Sequence, residues 1–246
     1  PLDLAGLRQA SDLAKTPEEK KQIEKYFYNM FKNQWSQPGM HELMKELRGV
    51  IDEYEGDRVL VAEDENIAYM GNGEDELHLV FNFPLMRTER ITPGHIRANQ
   101  KERLTQLEAL PVKGWPCNTL GNHDTSRIHT CFGDRQHDAA LARLHAALVL
   151  TLKGTPFLYN GEEIGMTNLK QPFATALDPI PRKFKHIPPF LFDMIGLTIN
   201  RDEVRTPMQW DGTRNAGFSS AQKAWLPVHK NYKTINVETE SEDENS

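Results

Sequence analysis

Trp115-Pro116-Cys117-Asn118-Thr119-Leu120 and Thr155-Pro156-Phe157-Leu158-Tyr159 are short, mostly apolar runs separated by a helix-length stretch from about Gln136 to Lys153. Continuous apolar runs of this length suit strands covered on both faces, as parallel strands are. The intervening stretch sets Ala140, Leu144, Ala147, Leu148 and Leu152 on one helical face, its expected core side. Strand, crossover helix and strand in this order predict a right-handed βαβ unit in a parallel sheet.

The alternation continues upstream. Val59-Leu60-Val61-Ala62 and Leu79-Val80-Phe81-Asn82-Phe83 read as two more strands. A helix opens at Thr92-Pro93 and runs toward Leu110. Earlier still, Thr16-Pro17-Glu18-Glu19 has the capping-box pattern of a helix start, followed by an apolar face of Ile23, Tyr26, Phe27, Met30 and Phe31. A second amphipathic helix carries Leu43, Met44, Leu47, Ile51 and Tyr54 and ends at Gly56. Between Asp64 and Leu77 there is room for only a turn or two of helix.

The expected class is therefore α/β. A closed (β/α)8 TIM barrel requires eight strands, and four are legible here. The pattern predicts an incomplete barrel, its C-terminal half at about strands 5–8, over residues 1–233. The irregular stretch 160–233 then forms a long loop region after the last strand, and 234–246 form an exposed acidic connector. Half a barrel leaves open strand edges, a physical liability.

Composition narrows the function. The 246 residues are 38% hydrophobic and 26% charged, as in a globular chain, and 29 basic against 35 acidic residues give a net charge of −6. Nucleic-acid binding wants a basic stripe, and none is present. No run approaches the 18 or so apolar residues of a membrane span; the longest candidate, Ile187 to Ile199, is broken by Pro188, Pro189, Asp193 and Gly196. Cys117 and Cys131 are too few for a disulfide framework or a zinc site, and read as two reduced thiols of a cytoplasmic protein. His41-Glu42-Leu43-Met44-Lys45 begins like a zinc-protease helix, but Lys45 stands where the second histidine belongs. Neither a metal nor an organic cofactor is expected.

In a βα barrel, reactive groups gather at the C-terminal ends of the strands. The first strand runs into Glu63-Asp64-Glu65, the third into Asn122-His123-Asp124, and the fourth into Asn160-Gly161-Glu162-Glu163. Carboxylates at strand mouths with an imidazole beside one suit glycoside cleavage, which needs a proton donor and anions near an oxocarbenium-like centre. Taken singly, a glutamate after a strand is ordinarily a solvated loop residue or a helix-start acid, and Asn-His-Asp is ordinarily a turn.

Four motifs in order carry a resemblance. Val59-Leu60-Val61-Ala62-Glu63 and Gly121-Asn122-His123-Asp124 resemble the third and fourth signature regions of glycoside hydrolase family 13, the α-amylase superfamily. The stretch from Gly154 to Met166 is similar to that family's last barrel strand. Arg205-Thr206-Pro207-Met208-Gln209-Trp210-Asp211, with Ala216-Gly217-Phe218 after it, resembles the branch of oligosaccharide-cleaving α-glucosidases, oligo-1,6-glucosidases and trehalose synthases. The resemblance implies a retaining enzyme acting on small α-glucosides or oligosaccharides. It implies Glu63 as the acid/base, Asp124 as the third carboxylate, His123 on the hydroxyls of the cleaved sugar, and Arg205 at the non-reducing end. Glu162 and Glu163 are left as structural. Glu63 and Asp124, 61 positions apart, must then meet on one rim of the sheet.

The sequence also departs from the family. No Gly-Phe-Arg-type strand bearing the nucleophilic aspartate precedes Glu63, and Asp3 follows Pro1-Leu2 without the required arginine. The chain reads as a fragment lacking the nucleophile and inactive by itself. Two further functions stay in view. A glucosyl transferase or isomerase would use the same carboxylates while excluding water. A non-catalytic relative kept for protein contacts would ordinarily have lost the carboxylates that stand here.

Overall fold

The computed structural model describes residues 37–188 and 199–244 continuously, together with 16–18, 21, 25, 29, 190 and 192. The apolar face expected after Thr16 lies outside the described residues, as does Asp3. The chain divides into two compact units, one reaching to Arg87 and including Arg97–Cys117, the other comprising Thr88–Ile96 and the chain from Asn118 onward.

In the first unit, strand β1 (Val61–Ala62) pairs in parallel with β2 (Leu79–Val80), Val61 opposite Leu79 and Ala62 opposite Val80. Both strands are shorter than their apolar runs. Leu60 breaks the ladder because its carbonyl accepts from the amides of both His78 and Leu79. Phe83, expected at the end of β2, instead opens a one-turn helix, Phe83–Met86. Pro84 explains the change: it has no N–H for a ladder, and its fixed φ suits a first helical turn. The short link after β1 is a 3-10 turn, Ile67–Met70, with the Asn66 side chain accepting from the Ala68 amide. Ile67, Tyr69 and Met70 join Leu77, Val80 and Leu107 in the core, and Met40 and Met44 of the Met40–Asp52 helix pack against it. That helix ends before Tyr54, and it exposes Leu43 and Leu47.

The Pro93–Glu108 helix starts where Thr92 Oγ1 accepts from the His95 amide. Its most consequential residue is Arg103, which lies buried. The Arg103 guanidinium donates to the carbonyls of Glu65 (2.6 Å), Val80 (2.8 Å) and Phe81 (2.9 Å). Arg87 Nη1 meets the Glu65 carboxylate at 2.5 Å. Two arginines therefore hold Glu65, two residues past Glu63, one at its carbonyl and one at its carboxylate.

In the second unit, strand β3 (Cys117–Thr119) pairs with β4 (Thr155–Phe157). Asn118, fully buried, ties the two strands by donating to the Lys153 carbonyl at 3.0 Å. Trp115, expected inside the strand, precedes it and is exposed. The helix between them spans Asp138–Thr151, as the pattern requires, but its buried line differs from the expected one. Leu144 is 61% exposed, whereas His145 and Val149 are buried. The His145 ring meets Phe132 edge-on at 5.7 Å, and burial lowers its pKa. A helix apolar on most sides does not reveal its inner face by apolar spacing, and a neutral histidine can occupy it.

Beyond β4 the chain is irregular, as expected. Its order comes from 3-10 turns at Phe173–Thr175, Arg201–Glu203 and Arg214–Gly217 and from a one-turn helix, Pro179–Arg182. The Trp210 amide donates to Ala216, so the Met-Gln-Trp-Asp and Ala-Gly-Phe segments are two sides of one closed loop. Residues expected as a connector carry a short helix, Val237–Glu242, whose N-cap Asn236 accepts from Thr239. Val237 reaches back to a small core of Ile164, Met166 and Met208. Among the described residues no helix is long and apolar enough to cross a membrane, and both cysteines are free.

Replacing Arg103 with methionine removes three charge-assisted hydrogen bonds and leaves buried carbonyls unpaired. The expected loss is roughly 3 kcal/mol. Urea unfolding measures it, and a loss below about 0.5 kcal/mol would show that water replaces the guanidinium.

Candidate active site

The residues after β3 carry a cluster of charged side chains. Gly121 lets Glu162 approach closely: an added Cβ would come within 2.2 Å of Glu162 Oε1, so that carboxylate would have to shift. The chain then turns on Asn122, whose Oδ1 accepts from the Asp124 amide (2.9 Å) and from Thr125 Oγ1 (3.0 Å). This Asx turn delivers His123 and Asp124 at the strand mouth.

Asp124 is only 11% exposed, and three cationic or potentially cationic groups converge on its Oδ1. Arg205 Nη2 lies at 2.5 Å, Arg201 Nη1 at 3.1 Å and His123 Nε2 at 3.5 Å. Arg205 also donates through Nε to the His123 carbonyl at 2.9 Å, so one guanidinium holds two adjacent residues. Burial opposes ionisation of Asp124, while His123, Arg201 and Arg205 favour the anion, and the carboxyl pKa lies below its ordinary value. A half-buried carboxylate kept anionic, with an imidazole beside it, suits binding of polar hydroxyls and stabilisation of developing positive charge.

Arg201 was not singled out from the sequence, yet it is as close to Asp124 as the motif residue His123. Arg201 also grips Asp178 through two bonds, Nε to Oδ2 at 2.7 Å and Nη2 to Oδ1 at 3.1 Å. Asp178 keeps a pKa below the ordinary range despite its burial, because Arg201 and the Ile180 amide favour the anion. The usable signal was the spacing: Arg201 and Arg205 are four apart, so one turn puts both on the same side. Leu177 and Asp178 amides in turn donate to Asp202, which anchors the turn from below.

Glu63 follows β1 directly and is exposed at the strand mouth of the first unit. His123, Asp124 and Arg205 are thus brought together in the second unit, and Glu63 belongs to the other. Glu162, left as structural, is buried. Its Oε2 accepts from the Tyr159 amide at 2.9 Å, and Oε1 has no hydrogen-bond partner among the described residues. Burial raises its carboxyl from 4.5 to about 7, against the opposing pull of the Tyr159 amide and Arg127.

With this geometry in place, comparison with known proteins supplies the family. The model of the α-amylase catalytic domain matches residues 4–246, and the chain belongs to that family. It is 31% identical over 262 aligned residues to an oligo-1,6-glucosidase of Parageobacillus thermoglucosidasius, covering 98% of this chain and 46% of that protein. It is 34% identical to a probable oligo-1,6-glucosidase 2 of Bacillus subtilis, covering 84% of this chain and 41% of that protein. Among solved structures, trehalulose synthase MutB from Pseudomonas mesoacidophila superposes with a TM-score of 0.66 at 31% identity, covering 85% of this chain and 41% of that one. The chain therefore spans less than half the length of these relatives, and its family is that of TIM-barrel glycosidases.

Two outcomes test the electrostatics. Arg201→Leu should move the Asp124 carboxyl toward its ordinary range in a carbon-detected NMR titration; an unchanged titration would leave Arg205 and His123 as sufficient. Glu162 holds in the folded state a proton that the unfolded chain releases above pH 4.5. Stability therefore falls as pH rises from about 4.5 to 7 and levels off beyond, by on the order of 3 kcal/mol. Glu162→Gln should remove that slope between urea midpoints at pH 5 and pH 8.

Proposed function

We propose that this chain is the C-terminal half, about strands 5–8, of the barrel of a retaining glycosidase that acts on terminal α-glucosidic bonds of small oligosaccharides or disaccharides. The observation that carries the proposal is the anionic Asp124 held by Arg201, Arg205 and His123 at the end of β3, in a chain whose family cleaves glycosides.

Glu63 protonates the glycosidic oxygen as the bond breaks and later takes a proton from water, a transfer typically worth about 10²–10⁴ in rate. Asp124 accepts from sugar hydroxyls and stabilises positive charge as the oxocarbenium-like centre forms. His123 donates to hydroxyls of the same ring. Arg205 holds the non-reducing end, which favours exo-action on short chains, and Arg201 fixes Asp124 from the other side. A retaining mechanism also needs a nucleophilic carboxylate about 5–5.5 Å from the acid/base. That aspartate is supplied from outside these 246 residues, since no Gly-Phe-Arg-type strand precedes Glu63. The coverage of less than half of each relative supports this.

A second reading, glucosyl transfer or isomerisation, is favoured by the likeness to a trehalulose synthase. It uses the same groups with a sugar hydroxyl in place of water. Analysis of the products formed from sucrose or maltose separates the two.

The isolated 246-residue chain is expected to show no turnover of an aryl α-glucoside. Glucose release by this chain that disappears in Glu63→Gln would overturn the assignment of the nucleophile to another segment. In a polypeptide that also carries the upstream strands, Glu63→Gln and Asp124→Asn should each lower kcat/KM by at least about 10². Full activity in either variant would refute the site.

A further inference from the structure

Arg201 and Arg205 serve Asp124 only if the turn that carries them is held in place. That turn is a single arch: the amides of Val204 and Arg205 both donate to the Arg201 carbonyl, at 3.1 Å each. Its N-terminal end is capped by Asn200 and pinned through Asp202, while the Glu203 carbonyl accepts from Leu169. The C-terminal end, from which Arg205 departs, is held by a group from a different part of the unit. Tyr159, just past β4, donates its hydroxyl to the Val204 carbonyl at 3.0 Å. Val204 is fully buried, so water does not offer its carbonyl an easy alternative.

Tyr159 is itself immobilised. The Arg127 guanidinium stands 4.8 Å from the centre of the Tyr159 ring, and Arg127 Nη1 donates to the Asn160 carbonyl at 2.6 Å. The Tyr159 amide is bound to Glu162. A buried cation stacked on a ring, with further bonds to the flanking backbone, leaves the phenol one direction in which to point. Arg127 is fully buried and takes no part in the proposed chemistry; besides the Tyr159 ring it meets the Asn160 carbonyl and the charge of Glu162.

We propose that Tyr159, clamped by Arg127, is a positioning residue for the sugar site: its hydroxyl fixes the Val204 carbonyl and thereby aims Arg201 and Arg205 at Asp124. The inference rests on the proposed function for its biological meaning, but the linkage from Tyr159 to Asp124 stands on geometry within one unit. Loss of the hydroxyl frees the C-terminal end of the arch. Arg205 then leaves Asp124 Oδ1 and the His123 carbonyl together, because one guanidinium holds both.

Tyr159→Phe keeps the ring, its packing and the cation above it while deleting only the donor. In the folded 246-residue variant, verified by a dispersed amide spectrum, the Asp124 carboxyl should titrate at higher pH than in the parent chain. Affinity for methyl α-glucoside, read by ligand-observed NMR, should fall about fivefold, the worth of one hydrogen bond. Arg127→Met should move Asp124 in the same direction. Val149→Ala, which loosens the same unit elsewhere, should leave the Asp124 titration in place. An unmoved Asp124 in folded Tyr159→Phe, or an equal movement in Val149→Ala, would overturn the proposal. Absence of glucoside binding by the parent chain would instead count against the sugar site, with the Asp124 titration still deciding the role of Tyr159.

Discussion

A half-buried carboxylate is stable as an anion only where cations replace the water it has lost. At Asp124 that replacement comes from Arg201 and Arg205, and much of the second unit serves to bring those two guanidinium groups to one oxygen. The one-turn arch places them four residues apart on the same side. Asp178 takes the remaining face of Arg201, so neither arginine is left as an excess buried charge. The chain of compensation continues outward to Asp202, which accepts from the Leu177 and Asp178 amides. Removing Arg201 would leave Asp178 and Asp124 short of a cation, so charge pairing helps this irregular region hold a defined shape.

The first unit solves a related problem with neutral acceptors. Strands of two residues have too few ladder bonds to define where the chain goes next. Arg103 supplies the missing constraint by reaching from its helix to three carbonyls at the ends of both strands. A lysine would offer a single point of donation, whereas the planar guanidinium matches several carbonyls at once. The consequence for function is that the segment following Glu63 is held at the Glu65 carbonyl by a residue of a different helix. Arg87, paired with the Glu65 carboxylate, adds a second hold on the same segment.

Within the candidate site, motif residues and supporting residues differ in how visible they are. His123, Asp124 and Arg205 lie in recognisable sequence patterns, and the structure gathers them. Arg201 and Tyr159 sit beside those patterns; apart from the four-residue spacing of Arg201 from Arg205, they differ from other arginines and tyrosines only in what they touch. Their contacts span 77 residues from Arg201 to Asp124 and 45 from Tyr159 to Val204, distances over which no local pattern informs. Glu162 shows the opposite case. Its place at a strand mouth gives it the look of a reactive group, and its environment instead makes it a buried acid shaped around Gly121.

What the sequence by itself determined was the order of elements and the family. Apolar runs, caps and the Gly-Asn-His-Asp and Arg-Thr-Pro-Met-Gln-Trp motifs are local, and local chemistry decides where a strand starts or a turn forms. Pro84 could have warned that Phe83 leaves the strand, because proline's constraint is local too. The inner face of the Asp138–Thr151 helix could not be read that way, since Leu144 and His145 exchange their expected places according to what packs over them. The tertiary structure alone decided which charges meet. Burial and long-range pairing push Asp124 and Glu162 in opposite directions, because a carboxyl answers to all the charges, hydrogen bonds and solvent around it, of which its neighbours in the chain are only a part.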